Sequence, residues 1–238
     1  VGAKSQWMGG RVSLNTSAFH MDIQDLQVPV TAGTCSSRLV FNVPKSVSRG
    51  LELELAVAPS QFVDFAASAT LTESELRSTL TSTDTAGTVS VISGISNGNR
   101  LPSVPQVQAA AAVTVRRPFR AGLLGSVTGT VNYVGSRYTQ IDDHAVGFGT
   151  VDLTALPNTI GGPLTQSTFR FDPELPAYGL FNLRAGIARA TWDVAVFVNN
   201  LTDERALLAL DRERGTLARV GYLTNPPRSV GVTLAFYR

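Results

Sequence analysis

Three consecutive residues, Asp142, Asp143 and His144, have side chains of the types that bind metal ions. Carboxylate oxygens suit hard cations, so Ca²⁺ is the metal that this triplet favours. The triplet falls in a long stretch without hydrophobic periodicity, where such groups are commonly only solvated. We therefore expect no metal site and keep the triplet as a loop candidate for Ca²⁺. His20 has no Cys or second His nearby and is not expected to bind a metal.

A second candidate is the pair of carboxylates Glu52 and Glu54, which alternate with leucines in the segment GLELELAV, residues 50–57. Carboxylates can act as general acids and bases. The same alternation also describes a strand with one apolar and one charged face. In a soluble protein the leucines would face a core, whereas in a membrane barrel they would face lipid and the glutamates a wet lumen. The segment alone leaves these interpretations open.

No other catalytic arrangement is recognisable in the sequence. Nucleophilic hydrolysis would need a Ser–His pair in one wet patch, and no motif ties either of the two histidines to a serine. The sequence has no phosphate-binding loop, zinc-ligand spacing or haem-attachment motif. We therefore predict that the protein is not an enzyme and has no cofactor.

The overall composition excludes several other classes of protein. Only 16% of the 238 residues are charged, the formal net charge is +2, and no run of Lys or Arg suggests nucleic-acid binding. The single cysteine, Cys35, cannot form an internal disulfide and is expected to be a loop thiol. No apolar run approaches the roughly 18 residues of a membrane helix. The chain is therefore soluble, a β-barrel or a piece of a longer protein.

A two-residue hydrophobic period dominates the sequence and predicts an all-β protein. Nine strands are predicted, over residues 2–8, 11–27, 39–58, 62–72, 105–116, 122–138, 178–188, 191–201 and 228–237. The third strand is expected to bend near Pro44. In the second strand, regular alternation places Val12 and Phe19 on opposite faces. A bulge near Ala18 would return Phe19 to the apolar face. Residues 203–214 could form either a helix or a strand that runs into a loop.

Short and long connections alternate between these strands. Tight turns fall near residues 9–10, 59–61, 117–121 and 189–190, and long segments span roughly 28–38, 73–104, 139–177 and 202–227. Outer-membrane barrels have this asymmetry, with tight periplasmic turns and long external loops. Most of the strands reach about the 9–11 residues that cross a bilayer. Aromatic residues gather at the short-turn end, as in an interfacial girdle; they are Trp7, Phe62, Phe119, Trp192, Phe236 and Tyr237.

Along the predicted strands one parity holds uncharged residues, such as Leu51, Leu53 and Val57, and the other holds the charged ones. A charge on the lipid face costs about 2–4 kcal/mol at mid-bilayer, so its exclusion is expected in a barrel. The core of a soluble β-sandwich would also exclude charge, but it would not confine the long loops to one end. The sequence therefore favours an antiparallel transmembrane β-barrel over a soluble β-sandwich binding module.

Five segments together resemble the barrel of TonB-dependent outer-membrane receptors. They are AFHMDIQDLQ at 18–27, FNVPKSVSRGLELEL at 41–55, NGNRLPSVPQ at 97–106, WDVAVFVNNLTDE at 192–204 and PPRSVGVTLAFYR at 226–238. Their order and spacing extend the resemblance over nearly the whole chain. Six residues belong to the motifs of this family: Gly50, Asn200, Leu201, Asp203, Arg228 and Phe236.

The resemblance implies a receptor in the outer membrane of a Gram-negative bacterium. Such receptors take up a scarce nutrient, such as a siderophore, vitamin or saccharide, with energy from TonB. Their barrels have about 22 strands and an occluded lumen, and a plug domain precedes the barrel. Residues 1–238 resemble only the last nine strands, and bacterial single-chain barrels have an even number of strands. We therefore predict a C-terminal barrel fragment that does not transport alone; a passive porin is the alternative.

The resemblance also implies the partners: outer-membrane lipid, TonB reached through the missing plug, and an unidentified small ligand contacted by loops 73–104 and 139–177. The barrel-assembly machinery recognises a terminal aromatic strand, and Phe236 keeps the lipid parity although Tyr237 and Arg238 follow it. Six charged residues would face the lumen, as interstrand pairs, as barrel-to-plug pairs or as substrate contacts: Glu52, Glu54, Asp64, Arg116, Arg184 and Asp193.

Overall fold

The computed structural model describes residues 1–32, 37–144, 148–152, 168–212 and 220–237. Cys35, Arg238 and part of the predicted loop 139–177 lie outside the described residues. Nine strands form one antiparallel sheet in which each strand pairs with the next along the chain. The first and last of these strands are the two edges of the sheet within the described ranges, so the sheet is open.

The nine strands confirm the predicted all-β architecture, because a two-residue period depends only on which side chains share a face. They are β1 (Gly2–Trp7), β2 (Val12–Ala32), β3 (Ser37–Ser60), β4 (Val63–Leu76), β5 (Val107–Pro118), β6 (Leu124–Val134), β7 (Tyr178–Arg189), β8 (Trp192–Asn199) and β9 (Ser229–Phe236). The turns β1–β2, β3–β4, β5–β6 and β7–β8 are short, and together they form the short-turn end of the sheet.

Smaller elements lie in the long connections. Among the described residues, four two-stranded sheets pair Thr81–Thr83 with Val89–Val91, Arg137–Tyr138 with Glu174–Leu175, Thr150–Asp152 with Thr168–Arg170, and Leu207–Arg212 with Val220–Thr224. Short 3-10 helices cover Ile92–Gly94 and Ile141–His144, and a third, Arg120–Gly122, lies in the β5–β6 turn. The described residues 203–212 of the ambiguous segment 203–214 thus contain a strand and no helix. In the described part of the chain, no helix is long and apolar enough to cross a membrane.

The strands of the β2–β3 hairpin are longer than the other strands and extend beyond the rest of the sheet at the long-loop end. Backbone pairing with β3 continues along β2 without a register shift. The predicted long connection over 28–38 is therefore wrong, since both strands extend through most of it. Val28 and Val30 are buried there, and burial of these side chains favours continued pairing over a loop.

The predicted bulge near Ala18 is also wrong. The irregularity of β2 lies instead at Asp25, which has a φ of 53° and falls between the pairs Gln24–Lys45 and Leu26–Val43. Phe19 keeps the parity of the charged residues, and its ring covers Gly50. A Cβ on Gly50 would come within 2.7 Å of this ring. The Cβ would also clash with the backbone carbonyl oxygen of Leu71, so glycine at position 50 leaves room for both groups.

The buried core lies at the long-loop end of the sheet. Its side chains come from the outer parts of β2, β3 and β4 and from two of the long connections; they are Val28, Val30, Val43, Leu76, Ile95 and Ile141. This core fixes the loops against the sheet and so determines which loop residues can meet.

Candidate functional site

One face of the sheet carries apolar side chains that the rest of the chain does not cover. The register places Val115, Val127, Ala185, Val196 and Val232 side by side across five strands. Val127 and Val232 are 48% and 63% exposed. We call this surface the apolar face. Contiguous exposed apolar surface of this kind marks a site that contacts a membrane, a partner protein or a ligand.

The apolar face has a distinct border at each end. At the long-loop end, the apolar residues Leu51 and Leu71 are followed, two residues further along each strand, by the ion pair Arg49–Glu73. The N–O distance of this pair is 2.9 Å. At the short-turn end it is edged by aromatic residues, where Phe236 pairs with Trp192 and is 81% exposed; the other exposed ones are Trp7, Phe62, Phe119 and Tyr237. The band between the borders is about as long as the 9–11 residues that cross a bilayer.

The opposite surface, here called the polar face, carries the six charged residues that the sequence singled out. Each contacts a side chain on a neighbouring strand, in the pairs Ser17–Glu52 at 2.6 Å, Asn15–Glu54 at 3.1 Å, Asp64–Arg116, and Arg184–Asp193 at 3.8 Å. Small side chains such as Ser68 lie between them and leave depressions of about 670 and 480 Å³. Glu52 and Glu54 accept these hydrogen bonds from a serine hydroxyl and an asparagine amide, which are not acid–base groups, so the contacts are those of a hydrophilic surface.

Arg100 joins several segments at the base of the long loops. Its guanidinium lies 3.1 Å from Glu174 Oε1 and donates a hydrogen bond of 2.5 Å to the carbonyl oxygen of Ser136. It also lies 5.6 Å from the centroid of the Tyr138 ring. Arg100 belongs to the segment NGNRLPSVPQ, which the sequence marked without assigning a role to this residue. The structure shows that it anchors the loop base.

Asp143, from the candidate metal triplet, stabilises a turn in the structure. Its Oδ2 accepts hydrogen bonds from the backbone N–H groups of Thr139 at 3.0 Å and Gln140 at 2.8 Å. In the part of the chain that the structure describes, no three His, Cys, Asp or Glu side chains are grouped so that they could hold a metal ion. The described geometry therefore gives Asp143 a structural role.

His144 packs its ring on Tyr138, with 3.7 Å between the ring centroids. Burial lowers the pKa of His144, and the positive charge of Arg100 lowers it further. Its Nε2 is buried without a hydrogen-bond partner. The imidazole is therefore held neutral near physiological pH.

Asn200 organises the base of the loop between β8 and β9. It is 5% exposed and has a φ of 52°. Its Nδ2 donates to the carbonyl oxygens of Glu204 at 2.9 Å and Pro226 at 3.2 Å, while its Oδ1 accepts from the N–H of Glu204 at 2.9 Å. Its own N–H donates to Asn182 Oδ1 at 2.9 Å. These bonds join β7, β8 and the segment before β9.

Asp203 and Arg228 close the same loop base. The N–H of Arg228 donates to Asp203 Oδ1 at 2.8 Å and lowers the pKa of Asp203. The Arg228 guanidinium donates to the carbonyl oxygen of Leu201 at 3.4 Å. Sequence reasoning missed Asn225, which is buried and accepts a hydrogen bond of 2.8 Å from the N–H of Ala206. The sequence feature that could have indicated a structural role for Asn225 is its position before two prolines.

Comparison with known families matches residues 1–201 to the family model "TonB dependent receptor-like, beta-barrel". Among solved structures, the siderophore receptor PiuA from Acinetobacter baumannii is 20% identical, with a TM-score of 0.63 over 98% of this chain and 27% of PiuA. The ferric yersiniabactin uptake receptor FyuA from Yersinia pestis is 19% identical, with a TM-score of 0.65 over 98% of this chain and 28% of FyuA. The copper transporter OprC is 15% identical, with a TM-score of 0.61 over 99% of this chain and 30% of OprC. This chain thus spans less than a third of each neighbour, and the likeness shows a shared fold.

Proposed function

This chain belongs to the family of TonB-dependent receptor-like β-barrels, and from that membership we propose that it forms part of the wall of an outer-membrane transporter. The complete transporter would take up a scarce nutrient into a Gram-negative bacterium with energy supplied through TonB. The substrate class proposed is a metal chelate, vitamin or saccharide, and the siderophore and copper transporters among the structural neighbours favour the first of these.

The apolar face is the observation that carries this proposal. Exposed apolar surface of this extent is unfavourable in water and favourable in hydrocarbon. The aromatic border resembles the interfacial girdle of membrane barrels, and the Arg49–Glu73 pair lies at the opposite border, where the polar headgroups would begin. We therefore orient the short turns towards the periplasm and the long loops towards the outside of the cell.

The polar face would then line the lumen of the barrel. Its charges are paired between neighbouring strands, for example Asp64 with Arg116. We propose that these pairs stabilise the wall and provide the surface against which a plug domain packs. Ligand contacts are assigned to the external loops, within 73–104 and 139–177. TonB would act through the plug and not through the residues of this chain.

The last strand provides a second proposed interaction. β9 is an edge strand of the described sheet, and it ends in the exposed side chain of Phe236. An unpaired strand edge with an aromatic end is suited to recognition by strand addition. We propose that the barrel-assembly machinery binds this strand during insertion.

Uptake in the source bacterium tests the proposed function. Cells with and without this gene would be supplied with a panel of ferric siderophores labelled with radioactive iron, in TonB-positive and TonB-negative backgrounds. We expect the gene to support uptake of at least one chelate only when TonB is present. Gene-dependent uptake without TonB would indicate a passive porin, and recovery of the protein in the soluble fraction would indicate a β-sandwich module.

A matched complementation tests the role of the segment itself. We expect residues 1–238 alone to leave uptake unrestored in the deleted strain, since the nine-stranded sheet is open within its described residues. Restoration of TonB-dependent uptake by this segment alone would contradict the proposal that it is only part of the wall.

A further inference from the structure

Three arginines surround the short-turn border of the apolar face. Arg117 and Arg189 lie on the apolar parity at the ends of β5 and β7, and Arg120 lies in the turn after β5. All three are exposed. Among the described residues, none of the three forms a salt bridge, whereas Arg116, next in sequence to Arg117, is paired with Asp64. The border therefore carries uncompensated positive charge beside an apolar surface.

An apolar groove of about 540 Å³ opens on the apolar face next to these charges. Val127, Ile187 and Val196 line it, and small residues leave it open. One of these is Ala185. Gly125 instead makes room for the Phe119 ring, since a Cβ at position 125 would come within 2.6 Å of this ring. The groove is thus a depression between strands β5, β6, β7 and β8, closed at the short-turn end by an aromatic ring.

The register places the arginines at one end of this groove. Arg117 pairs with Gly125, which pairs with Ile187, so Arg117 and Ile187 are two strands apart, or about 10 Å. Arg189 follows Ile187 by two residues on the same face and pairs with Trp192. The guanidinium of Arg117 lies 5.9 Å from the Phe119 ring centroid. The long side chains of Arg117 and Arg189, whose strands are separated by β6, can therefore converge at the level of the aromatic border.

We propose that this groove binds an acyl chain of an anionic phospholipid, whose phosphate is held by Arg117 and Arg189. The apolar lining suits an acyl chain, and the unpaired guanidinium groups suit a phosphate, which arginine can bind in a bidentate manner. Clusters of basic residues at headgroup level attract anionic lipids. The proposal rests on the proposed function, because it requires that the apolar face contacts lipid and that the short turns face the phospholipid leaflet of the outer membrane.

Native mass spectrometry of the detergent-extracted protein tests this site. The protein would be offered phosphatidylglycerol or phosphatidylcholine with identical acyl chains, and the retained lipid would be counted. We expect preferential retention of phosphatidylglycerol, falling about fivefold for each arginine removed in Arg117→Gln and Arg189→Gln. Arg116→Gln is the matched control, since the neighbouring guanidinium lies on the polar face, and it should leave retention unchanged. Ala185→Phe should fill the groove and reduce retention of both lipids.

The possible outcomes separate this site from the function on which it rests. Equal retention of both lipids by the parent protein, or unchanged phosphatidylglycerol retention in the double arginine variant, would overturn the site while the protein still enters membranes. In a second incubation, lipid A replaces phosphatidylcholine as the competitor, and a preference for lipid A over phosphatidylglycerol would overturn the assignment to a phospholipid. A protein that does not enter bilayers at all would overturn the proposed function itself.

Discussion

The long-loop end of the molecule and the middle of the sheet place their apolar side chains in opposite surroundings. At the long-loop end, Leu76 and Ile141 are 0% and 1% exposed, packed against residues from distant parts of the chain. In the middle of the sheet, Leu53 and Val127 are 41% and 48% exposed, although their side chains are equally apolar. The first region carries its own core, whereas the second depends on what surrounds it.

This difference shows where the stability of each region comes from. Burial of apolar surface within the chain stabilises the long-loop end in any solvent. The strands of the middle region are held by backbone pairing, and about half of each of the side chains of Leu53 and Val127 stays exposed until the apolar face meets an apolar phase. Substitutions that shorten apolar side chains should therefore lower the free energy of unfolding strongly at the long-loop end and only slightly at matched positions of the apolar face.

The pair Leu76→Ala and Leu53→Ala should give the largest contrast. Loss of the fully buried leucine leaves a cavity and should lower the local free energy of unfolding by about 2–5 kcal/mol. Leu53→Ala removes an exposed side chain of the same type and should cost less than about 1 kcal/mol. Hydrogen exchange of residues 74–101 measures the effect. Equal loss of protection in the two variants would remove the distinction between the regions.

Asn200→Ala and Asn199→Ala form the second contrast. Removal of the Asn200 amide takes one hydrogen bond from each of the carbonyl oxygens of Glu204 and Pro226, which keep Asn225 Nδ2 as a donor. It also takes the side-chain acceptor from the N–H of Glu204, and together these losses should cost about 1–3 kcal/mol. Asn199 is exposed, and its amide only reaches Ser229 Oγ at 3.5 Å, so its removal should be nearly silent. Limited proteolysis of the loop between β8 and β9 reports the difference. Resistance of the Asn200 variant equal to that of the parent would show that the network is dispensable.

The smallest contrast is expected between substitutions of the two histidines, His144 and His20, when the pH is lowered. The pKa of His144 is lowered in the folded loop base relative to an ordinary value of about 6.5. Stabilisation by the neutral imidazole is therefore complete above this value and is lost as the pH falls towards the lower folded pKa. Hydrogen exchange at residues 139–144, corrected for intrinsic rates, should accelerate on acidification. His144→Gln should remove the acceleration, His20→Gln should preserve it, and the reverse result would reject the assignment.

The strands and their faces could be predicted because they depend on local alternation. Leu51, Leu53 and Leu55 share a face in any paired strand, whatever lies beyond it. The height of the β2–β3 hairpin could not be predicted, because turn-forming residues such as Pro29 are locally suited to a loop. Pairing continues there since Val30 packs in a core with side chains of the long connections, which lie far away in the sequence.

The sequence singles out the motif residues but does not indicate their contacts. Asn200 stood in a family-like segment, yet its hydrogen bonds reach Asn182 and Pro226, which the sequence does not bring together. Arg100 contacts Glu174 across 74 residues, and no local pattern indicates such a pair. The irregular residue of β2 is Asp25 and not Ala18, in keeping with the greater tolerance of Asp for positive φ.

Spin labels at Leu53 and Glu54 test most directly whether the apolar face meets lipid. In a Cys35→Ser background, Leu53→Cys and Glu54→Cys would carry nitroxides in the protein inserted in lipid bilayers. We predict that dissolved oxygen relaxes the label at 53 more strongly, and that a polar nickel chelate relaxes the label at 54 more strongly. Stronger relaxation of the label at 53 by the nickel chelate would place the leucine face in water and contradict the account.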